Sequence, residues 1–121
     1  MQGTITITDR ATVKVHTYTA PAQGFDVNTH LIELPTQLIA VDAQYGLPYA
    51  QEVVAYAQSL GKPIARVYVT HEHPDHFFGA GAFGGPVHAL AEIKEVIEEE
   101  GDARVAQNHA QFGDFVPATA T

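Results

Sequence analysis

The sequence contains no cysteine among its 121 residues and is poor in positive charge. Without cysteine, disulfides, thiolate zinc fingers and iron–sulfur clusters are excluded. Fourteen acidic residues outnumber the six basic ones, which stand singly as Arg10, Lys14, Lys62, Arg66, Lys94 and Arg104. A formal net charge of −8 without a basic patch argues against nucleic acid as a partner.

Long apolar runs are missing as well. The chain has nothing near the ~20 consecutive apolar residues of a membrane span, and its N-terminus lacks the basic and apolar regions of a signal peptide. We therefore expect a cytoplasmic protein without membrane contact. With 45% hydrophobic residues, the chain is expected to fold as a single globular domain over residues 1–121.

Three histidines and one aspartate are concentrated in the six residues 71–76, as His71, His73, Asp75 and His76. The preceding segment, residues 64–70, is rich in β-branched and aromatic side chains and predicts a strand that presents the cluster at its C-terminal end. Open α/β sheets hold their sites at that end. Because imidazole and carboxylate groups bind zinc, the stretch predicts a metal site.

The spacing of these residues favours two half-sites. In extended backbone, His71 and His73 point to the same side and can bind one ion together. Pro74 keeps His73 out of the helical region, and the chain then turns to present Asp75 and His76 to a second ion. Two ions about 3.5–4 Å apart would hold an oxygen nucleophile and a substrate oxygen. Asp75 is also a candidate cap for a short helical turn.

Two neighbouring zinc motifs do not fit. A helical zinc-protease signature requires histidines at positions i and i+4, whereas residue 75 is aspartate and Pro74 opposes the helix. Four ligands within six residues can hardly surround one structural zinc ion tetrahedrally. A metal-free polar turn is the remaining alternative.

Hydrophobic periodicity predicts a mixed sheet around this cluster. Residues 4–19 alternate as a β-hairpin, and strands are expected at 27–34 and 37–42. Residues 48–60 predict an amphipathic helix, since Pro48 suits its first turn and Gly61 ends it. With the strand at 64–70, this makes a right-handed strand–helix–strand unit with parallel pairing.

Less regular structure is expected after the cluster. The sequence predicts a turn at Gly84-Gly85-Pro86, a short strand at Val87–His88, and helices over 89–100 and 102–112. Asp102 would cap the second helix, and the tail from Pro117 to Thr121 should be irregular.

The other four histidines are expected at surface, bridging or core positions rather than in the metal site. His16 is out of step with Val13 and Val15 and is expected to face solvent, while His30 is expected to be a surface or bridging polar residue. His109 falls on an apolar helical stripe and predicts a partly buried core histidine. His88 is expected at the surface, with an approach to the metal site as the alternative.

The motif His71-x-His73-x-Asp75-His76, with an apolar strand before it and Phe-Phe-Gly after it, resembles the His-x-His-x-Asp-His motif of the metallo-β-lactamase fold superfamily. Upstream, the segments 28–33 and 38–43 are similar to paired strands of that family. The resemblance implies an α/β (α+β) fold that is half of an αββα sandwich, with a mixed β-sheet and helices on one face.

The resemblance also implies roles for individual residues. His71 and His73 would bind a first zinc ion, Asp75 and His76 a second, and Asp75 would act catalytically by orienting the attacking hydroxide. Asp42 would support the metal loop from behind. The family completes both sites from a second half of its fold, and this chain is similar to the N-terminal half alone.

The expected function is that of a zinc-dependent hydrolase that attacks a carbonyl or phosphoryl centre of a small molecule. One or two zinc ions are expected, with iron or manganese as alternatives. The alternative function is that of an incomplete half-domain that binds metal or dimerises without catalysis. Strands that are apolar on both faces predict a homodimer that packs sheet on sheet, and the other possibility is that the chain is a fragment of a longer enzyme.

Overall fold

Among the described residues, six strands form one mixed sheet whose spatial order follows the chain. The computed structural model describes residues 1–84 and 86–117. The strands are β1 (Thr4–Arg10), β2 (Val13–Thr19), β3 (Asn28–Glu33), β4 (Leu38–Val41), β5 (Ile64–Tyr68) and β6 (Val87–His88). Neighbours from β1 to β4 are antiparallel, whereas β4–β5 and β5–β6 are parallel. The predicted mixed sheet is confirmed.

In the part of the chain that the structure describes, three helices accompany the sheet. They are α1 (Leu47–Ser59), the single turn α2 (Pro74–Phe77) and α3 (Ala91–Phe112), and short 3₁₀ turns lie at Ala22–Gly24, Ala80–Phe83 and Gly113–Phe115. Helix α1 begins with Pro48 in its first turn and is followed by Gly61 at φ 73°, as the sequence predicts. Within the described residues, no helix combines the length and apolar character that a membrane crossing needs.

Helix α1 covers one face of the sheet. Its buried stripe packs with buried strand residues, namely Tyr49, Ala50, Val53 and Ala57 against Tyr18, Leu31, Leu38, Ala40 and Val67. Each large apolar side chain buried in this way stabilises the fold by about 1.5–3 kcal/mol. This layer fixes the strand ends that carry the candidate site.

The opposite face of the sheet is more open. Val15, Ile32 and Ile39 lie side by side on β2, β3 and β4 and are half-buried, as is Val41. Tyr68 on β5 is 39% exposed. We call this surface, defined by Val15, Ile32, Ile39, Val41 and Tyr68, the open face.

The expectation that His16 faces solvent is wrong. Its side chain points toward α1 and is 2% exposed, whereas Val13 and Val15 lie on the other face. The imidazole is held by the Tyr56 hydroxyl at 2.6 Å and by Glu33 Oε1 at 2.7 Å. Burial raises the pKa of Tyr56, which keeps its hydroxyl protonated. A buried histidine is acceptable here because both ring nitrogens have partners.

The prediction of two C-terminal helices separated at Gly101-Asp102 is also wrong. Helix α3 is continuous from Ala91 to Phe112, so Asp102 lies inside it rather than at its start. A glycine inside a helix costs only about 1 kcal/mol, and Gly101 is one of two buried residues on α3, with Val105. The acidic run at residues 98–100 is therefore mid-helix and away from the negative pole.

Helix α3 helps to build a second core beneath residues 71–76, which we call the metal loop because they carry the candidate ligands. This core contains Tyr45, Val69, Phe77, Phe78, Val105 and Val116. The predicted short strand at Val87–His88 is confirmed. The expected turn at Gly84-Gly85-Pro86 and the expected irregular tail involve Gly85 and residues 118–121, which lie outside the described residues.

Hydrogen bonds to Glu33 make the free energy of unfolding depend on pH in the acidic range. The hydrogen bond from Lys62 Nζ, at 2.7 Å, and then that from His16 lower the pKa of Glu33 from 4.5 to about 2. A depressed carboxylate pKa contributes stability above about pH 4.5, and this contribution is lost as the pH falls toward 2.

We expect Glu33→Gln to lower the free energy of unfolding at pH 7 and to flatten its decline between pH 4.5 and 2. Urea unfolding at pH 7, 4 and 3 measures both effects. Glu98→Gln is the matched control, because Glu98 forms an exposed pair with Lys94 at 3.8 Å that should contribute little. If the free energy of unfolding had the same pH dependence in Glu33→Gln and the wild type, the role of Glu33 would be contradicted.

Candidate metal centre

The metal loop leaves the C-terminal end of β5, as the sequence predicts. After Val69 and Thr70 the chain is extended through His73, whose φ of −70° and ψ of 143° suit a residue before proline. Pro74 then opens the single helical turn α2. Asp75 lies inside this turn and does not cap it, because His73 occupies the N-cap position. The expectation of a capping role for Asp75 is therefore wrong.

The four predicted ligands are neighbours on one loop. The ring centroids of His71 and His76 are 4.7 Å apart and those of His71 and His73 are 5.9 Å apart. His76 Nε2 lies 3.6 Å from Asp75 Oδ2. His71 is thus nearer to His76 than to its expected partner His73. Within residues 1–84 and 86–117, no three His, Asp or Glu side chains are already arranged to hold an ion.

Asp42 lies directly behind the loop, at the end of β4. Its carboxylate accepts the backbone N–H of Thr70 at 2.8 Å, the Thr70 hydroxyl at 2.7 Å, and the His76 Nδ1–H at 2.8 Å. Its own N–H donates to the Tyr68 carbonyl at 2.7 Å. The carboxylate is buried, and the backbone has φ 63°, a conformation that few non-glycine residues adopt.

This hydrogen bonding determines which nitrogen of two histidines is free. The single hydroxyl proton of Thr70 is directed to Asp42, so Thr70 Oγ1 accepts from His71 Nδ1, 2.9 Å away. His76 Nδ1 likewise donates to Asp42. When either ring is neutral, its lone pair therefore lies on Nε2. Carboxylate support of this kind is usual for metal-binding histidines, and the donor set fits zinc.

The far end of the loop is fastened to the residues that follow Asp42. The Ala43 N–H donates to the His76 carbonyl at 2.9 Å, and the Gly79 N–H donates to the Gln44 carbonyl at 3.0 Å. A side chain at Gly79 would collide with the Ala43 carbonyl oxygen and with Ala50. Both ends of the metal loop are thus held by residues 42–44.

The remaining histidines lie elsewhere. His88 is exposed and its ring lies 5.4 Å from that of Tyr68, so it stays at the surface as expected. His109 is partly buried, as expected, and its Nδ1 donates to the Val116 carbonyl at 3.1 Å. His30 bridges to the Thr17 hydroxyl at 2.9 Å, as expected for a polar residue between strands.

Sequence reasoning missed two residues that contact the loop. Thr70 was treated only as part of a strand, although a hydroxyl directly before a candidate ligand is a usable signal. Arg104, whose guanidinium donates to the Glu72 carbonyl at 2.7 Å, lies 32 residues from it and gives no local signal. Beside Asp75, a cleft of about 300 Å³ is lined by Phe25, Tyr45, Pro74, Asn108 and Phe112.

Comparison with known proteins identifies a family and a fold. A profile described as "Metallo-beta-lactamase superfamily" matches residues 22–115. Among curated proteins, no sequence matches the chain.

Solved structures of metallo-β-lactamases share the fold. One from Pseudomonas aeruginosa, in a mono-zinc form, is 23% identical with a TM-score of 0.65, and the match covers 84% of this chain and 47% of that one. One from Hirschia baltica is 25% identical with a TM-score of 0.61, covering 80% and 48%. One from Erythrobacter litoralis is 28% identical with a TM-score of 0.62, covering 80% and 46%. The chain spans about half the length of these structures.

The role of Asp42 is testable through metal affinity. We expect Asp42→Asn to raise the Kd for zinc by about 10- to 100-fold, because an amide no longer fixes both histidine tautomers. Thr70→Val removes only the branch to His71 and should have a smaller effect. Competition with a chromophoric chelator measures the Kd, and Asp9→Asn on the distant hairpin is the control. Wild-type affinity in Asp42→Asn would contradict this account.

Proposed function

The chain belongs to the metallo-β-lactamase superfamily, and from this premise we propose that it provides the metal-binding part of a zinc-dependent hydrolase. His71 and His73 would hold one ion, and Asp75 and His76 a second. The observation that carries the proposal is the placement of one carboxylate, Asp42, which leaves Nε2 free on both His71 and His76. Iron or manganese are the alternative ions for the same donors.

Zinc, when bound, supplies positive charge that acidifies water and stabilises a developing oxyanion. The protein's own contribution is to hold the donors and to place Asp75 beside them. Asp75 is 37% exposed on its side chain and faces His76, so it can accept a hydrogen bond from the attacking water and orient it. We assign the catalytic role to Asp75 on this basis.

The cleft beside Asp75 supports a small-molecule substrate. Its walls are the aromatic rings of Phe25, Tyr45 and Phe112, and Asn108 adds a polar group. Phe25 is 60% exposed, and its ring lies edge-on to Tyr45 at 5.0 Å. An aromatic cleft next to an oxygen-activating site suits a carbonyl compound with an apolar substituent.

Hydrolysis and metal content together test this proposal. Zinc-loaded protein is assayed on a panel of lactone, thioester and lactam substrates, with bound zinc measured by elemental analysis. We expect His73→Ala to lose zinc, and Asp75→Asn to lose at least about 100-fold in turnover, since positioned acid–base groups contribute that much.

The control is Asp9→Asn, which should keep both zinc and turnover. Zinc binding without turnover of any substrate would refute the hydrolase and favour the alternative, a half-domain that binds metal without catalysis. Absence of zinc binding would refute both and leave a half-domain that dimerises without catalysis.

The open face supports a second part of the proposal, a two-fold homodimer. Apolar β-branched side chains on adjacent strands lie there half-exposed, while α1 covers the opposite face. The chain spans less than half of its structural relatives, in which the family resemblance implies a second sheet. A second copy would supply that layer and bury the apolar surface.

We expect the wild type to sediment as a dimer and Ile39→Lys to sediment as a folded monomer, because a lysine on the open face prevents the sheets from packing. Ile7→Lys is the matched control, since Ile7 lies on the edge strand β1 and is already 55% exposed. Analytical ultracentrifugation over a concentration series measures the state. A wild type that stays monomeric throughout would exclude the dimer.

A further inference from the structure

One turn of helix α3 is fastened to the metal loop. Arg104 Nη1 donates to the Glu72 carbonyl at 2.7 Å, and its Nη2 donates to Glu100 Oε2 at 2.5 Å. Glu72 is the residue between the two candidate ligands His71 and His73. A guanidinium thus reaches the peptide that links these ligands, from a helix distant in sequence.

The turn that carries Arg104 is itself fixed. The next residue, Val105, is fully buried in the core that contains Val69 and Phe78. One turn later, Asn108 accepts the Tyr45 hydroxyl at 2.5 Å and donates to the Arg104 carbonyl at 2.8 Å. Burial raises the pKa of Tyr45, which keeps that hydroxyl a donor. The guanidinium therefore projects from a rigid base.

The three histidines of the loop are supported differently. His71 and His76 are oriented through their rings, by Thr70 and Asp42. The His73 side chain is 66% exposed, and its Nε2 lies 4.0 Å from the Glu72 carboxylate. Two hydrogen bonds restrain the backbone on either side of the His73 Cα atom: the Glu72 carbonyl accepts from Arg104, and the His73 carbonyl accepts the His76 N–H at 3.0 Å.

We propose that Arg104 is the positioning residue for His73. By holding the Glu72 carbonyl, it fixes the peptide plane between residues 72 and 73 and so sets the direction in which the His73 imidazole leaves the backbone. The fork geometry of arginine allows it to hold Glu72 and Glu100 at once, which a lysine ammonium does less well. The inference rests on the proposed metal site. Arg104 would affect the affinity for the metal ion and not the hydrolytic step.

Zinc affinity and loop protection test the proposal in the full chain. We expect Arg104→Met to raise the Kd for zinc by about tenfold, as for other groups that orient metal ligands. Arg104→Lys should restore part of this loss. In the metal-free protein, Arg104→Met should also speed amide hydrogen exchange in residues 71–76, a readout that requires no activity. Arg104→Lys also serves if the methionine variant does not fold.

Two variants on the same helix are controls. Lys94→Met breaks an exposed pair with Glu98 and should change neither readout. Glu100→Gln weakens the second attachment of the guanidinium but keeps the bond to Glu72, so it should lose less zinc affinity than Arg104→Met.

Each failure has a distinct meaning. Equal zinc affinity and equal exchange in Arg104→Met and the wild type would overturn the role of Arg104 alone. The same tenfold loss in Lys94→Met would assign the effect to general loosening of α3 and would also overturn it. A wild type that binds no zinc would overturn the metal site and this role together, whereas bound zinc without turnover would overturn only the hydrolase.

Discussion

The buried carboxylate of Asp42 is the constraint on which the rest of the candidate site depends. It lies at the end of β4 and holds the first residues after β5 and the helical turn α2, so three segments meet at one charge. Burying a carboxylate is costly unless donors surround it, and here a backbone N–H, a hydroxyl and an imidazole supply them. The left-handed backbone at Asp42 costs about 1 kcal/mol or more, and strain of this kind is common at functional sites.

Much of the fold could be predicted from the sequence because its signals are local. Helix α1 has its proline, its apolar stripe and its terminal glycine in one window, and the four candidate ligands are contiguous. The orientation of β2 could not be predicted in the same way. Both of its faces mix apolar and polar side chains, and the face of His16 is buried because α1 packs on it, where Tyr56 and Glu33 bind the imidazole. Pattern alone cannot show such partners.

The same limit of local sequence patterns applies to the candidate site. Asp42 was identified by family resemblance, but its connection to His71 passes through Thr70 and depends on a hydrogen-bond direction that only three-dimensional structure reveals. The continuity of α3 was missed because Gly101-Asp102 is typical of a helix boundary. Gly101 is instead buried inside one continuous helix, and this continuity carries Arg104 to the loop.

The attachment of both loop ends to residues 42–44 has a consequence for engineering. Asp42 holds Thr70 and Gln44 holds Gly79. The segment between these two residues must therefore span a fixed distance with a fixed number of residues. Libraries that exchange side chains there leave both anchors in place, whereas insertions or deletions would pull one anchor away. Length variation is better directed to the turn between β1 and β2, whose residues lie far from the anchors.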